Sequence, residues 1–254
     1  MTRKKVTGEG SPPVETAELR RELKRFLERT LPATDDLPAI RVGSVKYGVY
    51  AFLDFDDQPI YVGQTRESIG TRVRRHLTNQ RTDAVAMSVL DPFEVRSVLA
   101  WPLREYQGYK ASGDGRTDKS LLSAAQARLN ALERLVFERL VEQSDYEIIL
   151  NEKDPPVGGA ADWFEPIRGD LFTGELLVRR GHPDTRLARR TSTLARLAQV
   201  ISERELKSGG LRRALLAQAV RIENLARKRY GDLGGDGSVL RRTGKGGNED
   251  GEDV

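Results

Sequence analysis

The sequence alternates between segments with helical and with strand-like spacing of hydrophobic residues. From Glu15 to Leu31, hydrophobic residues recur every three or four positions, which predicts an amphipathic helix. The segment Lys46–Phe55 is instead rich in β-branched and aromatic residues and predicts a strand. Asp56–Pro59 has the composition of a turn, and Ile60–Val62 predicts a second, short strand. Together these segments predict an antiparallel hairpin.

The rest of the chain is mainly helical in pattern. Spacing by four predicts a helix over Glu67–Leu77, and a third strand is predicted over Phe93–Trp101. A long helix is predicted over Ser120–Val141. The segments Thr185–Lys207 and Leu211–Tyr230 each carry an apolar stripe and are separated by Ser-Gly-Gly, which predicts a helical hairpin.

These elements predict an α+β fold. We expect a small three-stranded sheet flanked by helices, with an added N-terminal helix and a C-terminal helical hairpin. The regions expected along the chain are a disordered tail (1–14), the N-terminal helix and a loop (15–44), the domain that holds the sheet (45–156), a linker (157–184), the helical hairpin (185–230) and a second disordered tail (231–254).

Composition narrows the chemistry that the chain can perform. It has 254 residues and no cysteine, which excludes disulfides, thiolate metal sites and cysteine catalysis. With only His76 and His182, any metal must rest mainly on carboxylates, which favours Mg²⁺ or Mn²⁺. No apolar run approaches the ~20 residues of a membrane span, and no signal peptide opens the chain. We therefore expect a cytoplasmic protein without a membrane partner.

Positive charge is concentrated near the C-terminus. The net charge of the chain is +4, but residues 171–232 contain 14 Lys/Arg and 6 Asp/Glu, a net charge of +8. Such a segment is typical either of a nucleic-acid-binding surface or of a solvated helix face. If it binds nucleic acid, we expect it to add affinity rather than chemistry.

The residues that point to chemistry lie in and after the hairpin. The tripeptides Gly48–Tyr50 and Tyr61–Gly63 place two tyrosines eleven residues apart, close enough to meet on neighbouring strands. Arg72 and His76, four residues apart, share one face of the next helix. An arginine and a histidine opposite two tyrosines suit an anionic phosphate. Taken singly, each tyrosine could instead be a packed strand residue, and Arg72 could lie on a solvated face.

This pattern resembles the GIY-YIG nucleases, and most closely their restriction-endonuclease branch. The two tripeptides that name the family stand here as GVY and YVG, and the resemblance covers about residues 45–155, so that 45–156 would be the nuclease domain. The resemblance implies a metal-binding glutamate on a later helix and a divalent Mg²⁺ or Mn²⁺ cofactor. The site residues that it implies are Tyr50, Tyr61, Arg72, His76 and Asn151 as catalytic residues and Glu133 as the metal ligand.

The choice of Glu133 over Glu138 depends on the helix face. Glu133 lies beside the apolar stripe that includes Leu129 and Val136, whereas Glu138 is expected on the outer face. The sequence spacing to Asn151 favours Glu138. Asn151 comes 18 residues after Glu133 but 13 after Glu138, and the spacing in the nuclease family is nearer to the shorter value.

The resemblance implies a metal-dependent DNA endonuclease that hydrolyses phosphodiester bonds and leaves 5′-phosphate and 3′-hydroxyl ends, in restriction or phage defence. A tyrosine could accept the proton of the attacking water if nearby cations lowered its pKa. The alternatives are a structure-specific repair or mobile-element nuclease of the same family, a non-catalytic DNA-binding protein on a nuclease scaffold, and an RNA-directed enzyme. The C-terminal hairpin is expected to be either a DNA-binding element or the interface of a homodimer.

Overall fold

The computed structural model describes residues 14–78, 89–108, 119–203 and 209–236. The fold is α+β, as the sequence predicts. The helices are α1 (Val14–Leu27), α2 (Ile69–Leu77), α3 (Lys119–Glu142), α4 (Gly174–Gly181), α5 (Pro183–Glu203) and α6 (Gly209–Asp232). The strands are β1 (Thr30–Leu31), β2 (Ile40–Arg41), β3 (Gly48–Leu53), β4 (Pro59–Thr65), β5 (Ser97–Pro102) and β6 (Ile167–Asp170).

The main sheet is antiparallel and has four strands in the order β4-β3-β5-β6. The prediction of three strands was wrong, because β6 pairs with β5 from Ala100 opposite Ile167 to Ser97 opposite Asp170. β6 is the four-residue sequence Ile-Arg-Gly-Asp, which has no apolar alternation of its own. Its strand conformation therefore comes from pairing with a neighbour rather than from local propensity.

Helices cover both faces of this sheet. All six residues of β3 are buried, and they alternate between two cores. Val49 and Ala51 pack with α3, while Tyr50 and Phe52 join the core that contains α1, α2 and the C-terminal helices. A strand buried on both faces has a nearly continuous hydrophobic sequence, as β3 does. The face that holds Tyr50 therefore also lies next to α2.

The structure can be compared with the predictions for three regions of the chain. The N-terminal helix ends at Leu27, because Leu31 pairs with Ile40 in the two-stranded β1–β2 sheet. The segment 157–184, expected as a linker, contains β6 and α4. Of the expected disordered tails, residues 1–13 and 237–254 lie outside the described residues, and α6 extends to Asp232.

The predicted C-terminal helical hairpin is present as α5 and α6, with the connecting residues 204–208 outside the described part of the chain. Its apolar stripes are packed inside this chain. Leu197, Ile201 and Leu211 are buried in the same core as Tyr50. These stripes are therefore not free to form the homodimer interface that the sequence left open.

Buried ion pairs fix the helical hairpin to the turn that follows β3. The carboxylate of Asp54 is fully buried and contacts Arg186 and Arg190 of α5 and Arg221 of α6. Arg190 lies 2.8 Å from Asp54 and also binds Glu94 at 2.9 Å. Burial by itself would raise the pKa of Asp54, but the three arginines outweigh it and hold that pKa below its usual value. The buried charges are thus paired, as the low-dielectric interior requires.

Most of the positive charge in 171–232 is used in ion pairs, some buried and others exposed. Within the described residues of this segment, only Arg196 and Arg212 have no carboxylate within ion-pair distance. The pairs are Arg179 and Arg180 with Glu15, Arg186, Arg190 and Arg221 with Asp54, Arg189 with Asp91, Arg213 with Asp154, Arg227 with Glu223, Lys228 with Asp56, and Arg229 with Asp184. The local charge of +8 therefore gives little support to a DNA-binding role for this hairpin.

Candidate active site

The two tyrosines of the tripeptides come together on one face of the β3–β4 hairpin. Tyr50 pairs across the sheet with Gly63, and Phe52 pairs with Tyr61. This diagonal register leaves the rings of Tyr50 and Tyr61 6.2 Å apart between centroids. The eleven-residue spacing thus brings both rings together, as the sequence predicts.

The glycines of the two tripeptides make room for close contacts. A Cβ at Gly63 would lie 2.7 Å from the Oη of Tyr50 and 2.8 Å from Cε1 of Tyr61. A Cβ at Gly48 would lie 2.9 Å from the carbonyl oxygen of Trp101 and 3.0 Å from Cδ1 of Ile69. Neither position can carry a side chain without displacing backbone or a tyrosine, so the glycines set both the hydroxyl position and the approach of α2.

Helix α2 places the arginine and the histidine next to the tyrosines. Ser68 caps its N-terminus, with Oγ accepting a hydrogen bond from the Thr71 N–H at 3.0 Å. Ile69, Val73 and Leu77 are buried against the core, which fixes the rotation of the helix. His76 then faces β3, and its Nε2 lies 3.0 Å from the Oη of Tyr50. The His76 ring is also 5.1 Å from the Tyr61 ring, between centroids.

The surroundings of Tyr50 favour its protonated form. Its side chain is fully buried, and this burial raises the pKa of Tyr50 above its usual value. The neighbouring Tyr61 raises that pKa further, and Arg72 lowers it without offsetting the burial. The cation therefore does not produce a resting tyrosinate, contrary to the pKa lowering considered from the sequence. Instead the hydroxyl can donate a hydrogen bond to an unprotonated Nε2 of His76.

Arg72 lies next to Tyr50 and within electrostatic range of the candidate metal ligand Glu133. Its guanidinium lowers the pKa of both Tyr50 and Glu133, which requires it to be close to each. Its Nε is buried and has no hydrogen-bond partner. A phosphate oxygen would satisfy such an N–H, because guanidinium donors match phosphate geometry.

Glu133 is the carboxylate of α3 that faces this group. It is only 8% exposed, and its Oε2 accepts a hydrogen bond of 2.7 Å from Nε2 of Gln64. Burial raises the pKa of Glu133, while Gln64 and Arg72 act to lower it. Glu138 instead binds Arg134 at 2.5 Å, and its side chain is 54% exposed. The two carboxylates thus lie on the faces that the apolar stripe predicts for them.

A cluster of amide side chains that sequence reasoning missed holds Gln64 in place. Nε2 of Gln64 also donates to Oδ1 of Asn130 at 3.0 Å, and Nε2 of Gln126 donates to the same oxygen at 2.6 Å. Gln126, Asn130 and Glu133 follow one another at spacings of four and three, so they share one face of α3. That stripe of amide and carboxylate side chains beside the apolar stripe of α3 was the signal available in the sequence.

Asn151 supports the site through the backbone. Its Oδ1 accepts from the Val62 N–H at 3.0 Å, and its Nδ2 donates to the Val62 carbonyl at 2.9 Å. Val62 lies between Tyr61 and Gly63. The structure therefore ties the Asn151 side chain to β4, and its contacts are those of a positioning residue.

The site fits a single hard divalent cation. Within the described residues, no three His, Asp or Glu side chains converge on one point. Mg²⁺, however, is commonly held by one or two carboxylates and completes its shell with water and phosphate oxygens. Glu133 can supply that carboxylate, and Arg72 beside it has a buried N–H without a partner. Glu133 is thus a residue that could hold such a cation, with water and phosphate oxygens left to complete its shell.

Comparisons of this chain with protein-family models, with curated proteins and with solved structures give no match. Within the described residues, no helix is both long enough and apolar enough to cross a membrane. The function is therefore inferred from the side chains of the site.

Proposed function

We propose that this protein is a metal-dependent DNA endonuclease that hydrolyses phosphodiester bonds with a GIY-YIG-type site. The observation that carries the proposal is the 3.0 Å contact between Tyr50 and His76, with Arg72 placed beside both Tyr50 and Glu133. These side chains come from β3, α2 and α3. Packing alone gives no reason to gather a phenol, an imidazole, a guanidinium and a buried carboxylate at one point.

The Tyr50–His76 pair suits the activation of water. An attacking water must lose a proton, and an isolated buried tyrosinate would be costly. In the proposed relay, a water that reaches the buried Oη together with the substrate gives its proton to Tyr50, whose own proton passes to Nε2 of His76. The positive charge then rests on an imidazole that the adjacent Tyr61 ring contacts. Under this proposal the raised pKa of Tyr50 is compatible with its role, because the hydroxyl acts as a relay.

Arg72 and Glu133 suit the two other requirements of phosphodiester hydrolysis. The guanidinium of Arg72 can bind phosphoryl oxygens as charge develops on them. Glu133 would hold the Mg²⁺ or Mn²⁺ ion, which when bound supplies positive charge to the phosphate and the leaving oxygen. Gln64 and Arg72 favour the ionised form of Glu133 that a cation needs. We also propose that the enzyme leaves 5′-phosphate ends and acts in restriction or phage defence.

The proposal is tested by incubating the purified chain with supercoiled plasmid and phage genomic DNA, in Mg²⁺, Mn²⁺ or EDTA. We expect nicked, linear or fragmented DNA with either metal and intact DNA in EDTA. A Tyr50→Phe preparation made in parallel controls for contaminating nucleases. Binding of DNA without any cutting would favour the non-catalytic alternative, and cutting of RNA alone would favour the RNA-directed one.

A further inference from the structure

Three cations and only one carboxylate line a cleft between α1 and α2. We call it the α1–α2 cleft; it has a volume of about 300 Å³. It is lined by Arg20, Leu23, Lys24, Glu28, Arg74 and Thr78. Leu23 is buried and forms an apolar floor beneath polar walls. The cleft thus has room for a hydrated anion.

Helical periodicity builds the two walls. Arg20 and Lys24 of α1 and Glu28, directly after it, are spaced by four, as are Arg74 of α2 and its C-cap residue Thr78, so each set forms one stripe. Glu28 reaches only Lys24, at 3.9 Å. Within the described part of the chain, Arg20 and Arg74 have no carboxylate at ion-pair distance. With three cations and one carboxylate, the walls carry a net charge of +2.

The cleft and the candidate active site lie on opposite flanks of one short helix. Arg72 and His76 occupy one flank of α2, Arg74 and Thr78 the other, and Arg75 lies on the outer crest between them. A helix with its side chains is roughly 10–12 Å across. One DNA strand advances about 3.4 Å per nucleotide along the duplex axis. A strand that crosses α2 from the site to the cleft therefore spans about three nucleotides.

We propose that the α1–α2 cleft binds a backbone phosphate of the DNA substrate, about three nucleotides from the bond that is cut. The inference rests on the proposed function and names the surface that positions its substrate. Arg20 and Arg74 offer planar donor sets that match phosphate oxygens. A backbone contact of this kind sets the position of the duplex without reading its sequence. The DNA-positioning surface is thus assigned to the N-terminal helix and α2 rather than to the basic C-terminal hairpin.

The test is the salt dependence of duplex binding by the full chain, measured in EDTA so that nothing is cut. The test variant combines Arg20→Ala, Lys24→Ala and Arg74→Ala, all at exposed positions. The matched control combines Arg196→Ala, Arg212→Ala and Arg227→Ala on the helical hairpin, which removes the same charge. The binding constant K falls as the salt concentration rises. Loss of one phosphate contact reduces the magnitude of the slope of log K against log salt concentration by about 0.9. We expect the magnitude of the slope to decrease by about 1 for the cleft variant, which loses its one phosphate contact, and to stay unchanged for the control.

Each other outcome has a definite meaning. If wild type cuts DNA and the cleft variant keeps the wild-type slope, the proposed role of the α1–α2 cleft is wrong and the proposed function stands. A loss of slope confined to the control variant overturns that role too and assigns DNA binding to the hairpin. A wild-type chain that cuts no DNA overturns the proposed function, whatever the slopes. Once the cut bond is mapped, a neutral methylphosphonate about three nucleotides away should weaken binding by wild type but not by the cleft variant.

Discussion

The side-chain amide of Asn151 forms two hydrogen bonds with the backbone of Val62, one at its N–H and one at its carbonyl. β4 is an edge strand of the sheet, and an edge leaves backbone groups unpaired. The N–H of Leu150 donates to the carbonyl of Ile60 at 2.8 Å, so residues 150–151 cover that edge together. Asn151 therefore holds the strand that carries Tyr61 and Gly63.

We expect Asn151→Ala and Asn151→Asp both to lower the stability of the protein. Alanine leaves two buried backbone groups unsatisfied, and a carboxylate cannot donate to the Val62 carbonyl. The expected loss is about 1–3 kcal/mol of unfolding free energy, measured by urea denaturation. Loss of DNA cleavage with an unchanged denaturation midpoint would instead place Asn151 in the reaction itself.

Tyr50→Phe and Arg72→Ala should each reduce the cleavage rate by ~10²-fold or more, by analogy with removing a donor that acts in the transition state. The first change removes only a hydroxyl, and the second removes the guanidinium beside it. Melting temperatures should change little. Tyr230→Phe, at a partly exposed position on α6, is the matched control and should keep full activity. Near wild-type cleavage by Tyr50→Phe would refute the relay through His76.

Glu133→Ala should abolish Mg²⁺-dependent cleavage and leave DNA binding in EDTA unchanged. Glu138→Ala should do neither, because Glu138 lies on the exposed face of α3 and binds Arg134. Paramagnetic resonance of added Mn²⁺ gives a readout that is independent of cleavage, and its binding should be lost only in Glu133→Ala. The opposite result would move the metal site to Glu138.

The acid limb of the cleavage–pH profile should depend on Glu133 as well as on the unprotonated Nε2 that the relay needs on His76. Burial raises its pKa, so this carboxylate gains a proton at a higher pH than an ordinary glutamate, and cleavage should fall as pH drops through that value. Gln64→Leu removes hydrogen bonds that lower the pKa. We therefore expect the acid limb of Gln64→Leu to move to higher pH. Rates measured at a fixed Mg²⁺ concentration well below saturation, where protons compete with the cation for Glu133, check this, and an unshifted limb would contradict the assignment.

Asp54→Asn should be strongly destabilising at neutral pH. It leaves the buried Arg186, Arg190 and Arg221 without their shared carboxylate, and breaking a buried ion pair typically costs about 3–5 kcal/mol. Because the folded-state pKa of Asp54 is lowered, its contribution is complete above the unfolded pKa of roughly 3.9 and is lost as pH falls below it. The difference in unfolding free energy between wild type and variant should therefore shrink below about pH 4. A constant difference from pH 7 to pH 3 would argue against an ionised Asp54.

The sequence predicted the elements that have strong periodicity. The β3–β4 hairpin, α2 and α3 follow from local spacing, and that spacing also placed Tyr50 near Tyr61 and set the face of Glu133. β6 escaped prediction because a four-residue edge strand depends on its partner rather than on its own side chains.

The buried arginines escaped prediction for a different reason. Arg186, Arg190 and Arg221 have the spacing and chemistry of a solvated helix face, and only the tertiary fold brings them to Asp54. The protonated state of Tyr50 is likewise set by burial, which the sequence alone does not reveal. Both features depend on desolvation, a property of the packed molecule rather than of any local segment.

The Asp54 ion cluster also makes folding depend on residues that lie far apart along the chain. Asp54 lies in the first quarter of the chain, but its partners lie on α5 and α6. During translation Asp54 therefore lacks its arginine partners until α5 and α6 have left the ribosome. A product that stops after β6 contains Tyr50, Arg72 and Glu133, yet it lacks the partners of Asp54 and much of the core. Prematurely terminated chains should therefore be cleared by proteases, and a cell would be protected from fragments that carry the full set of proposed DNA-cutting residues.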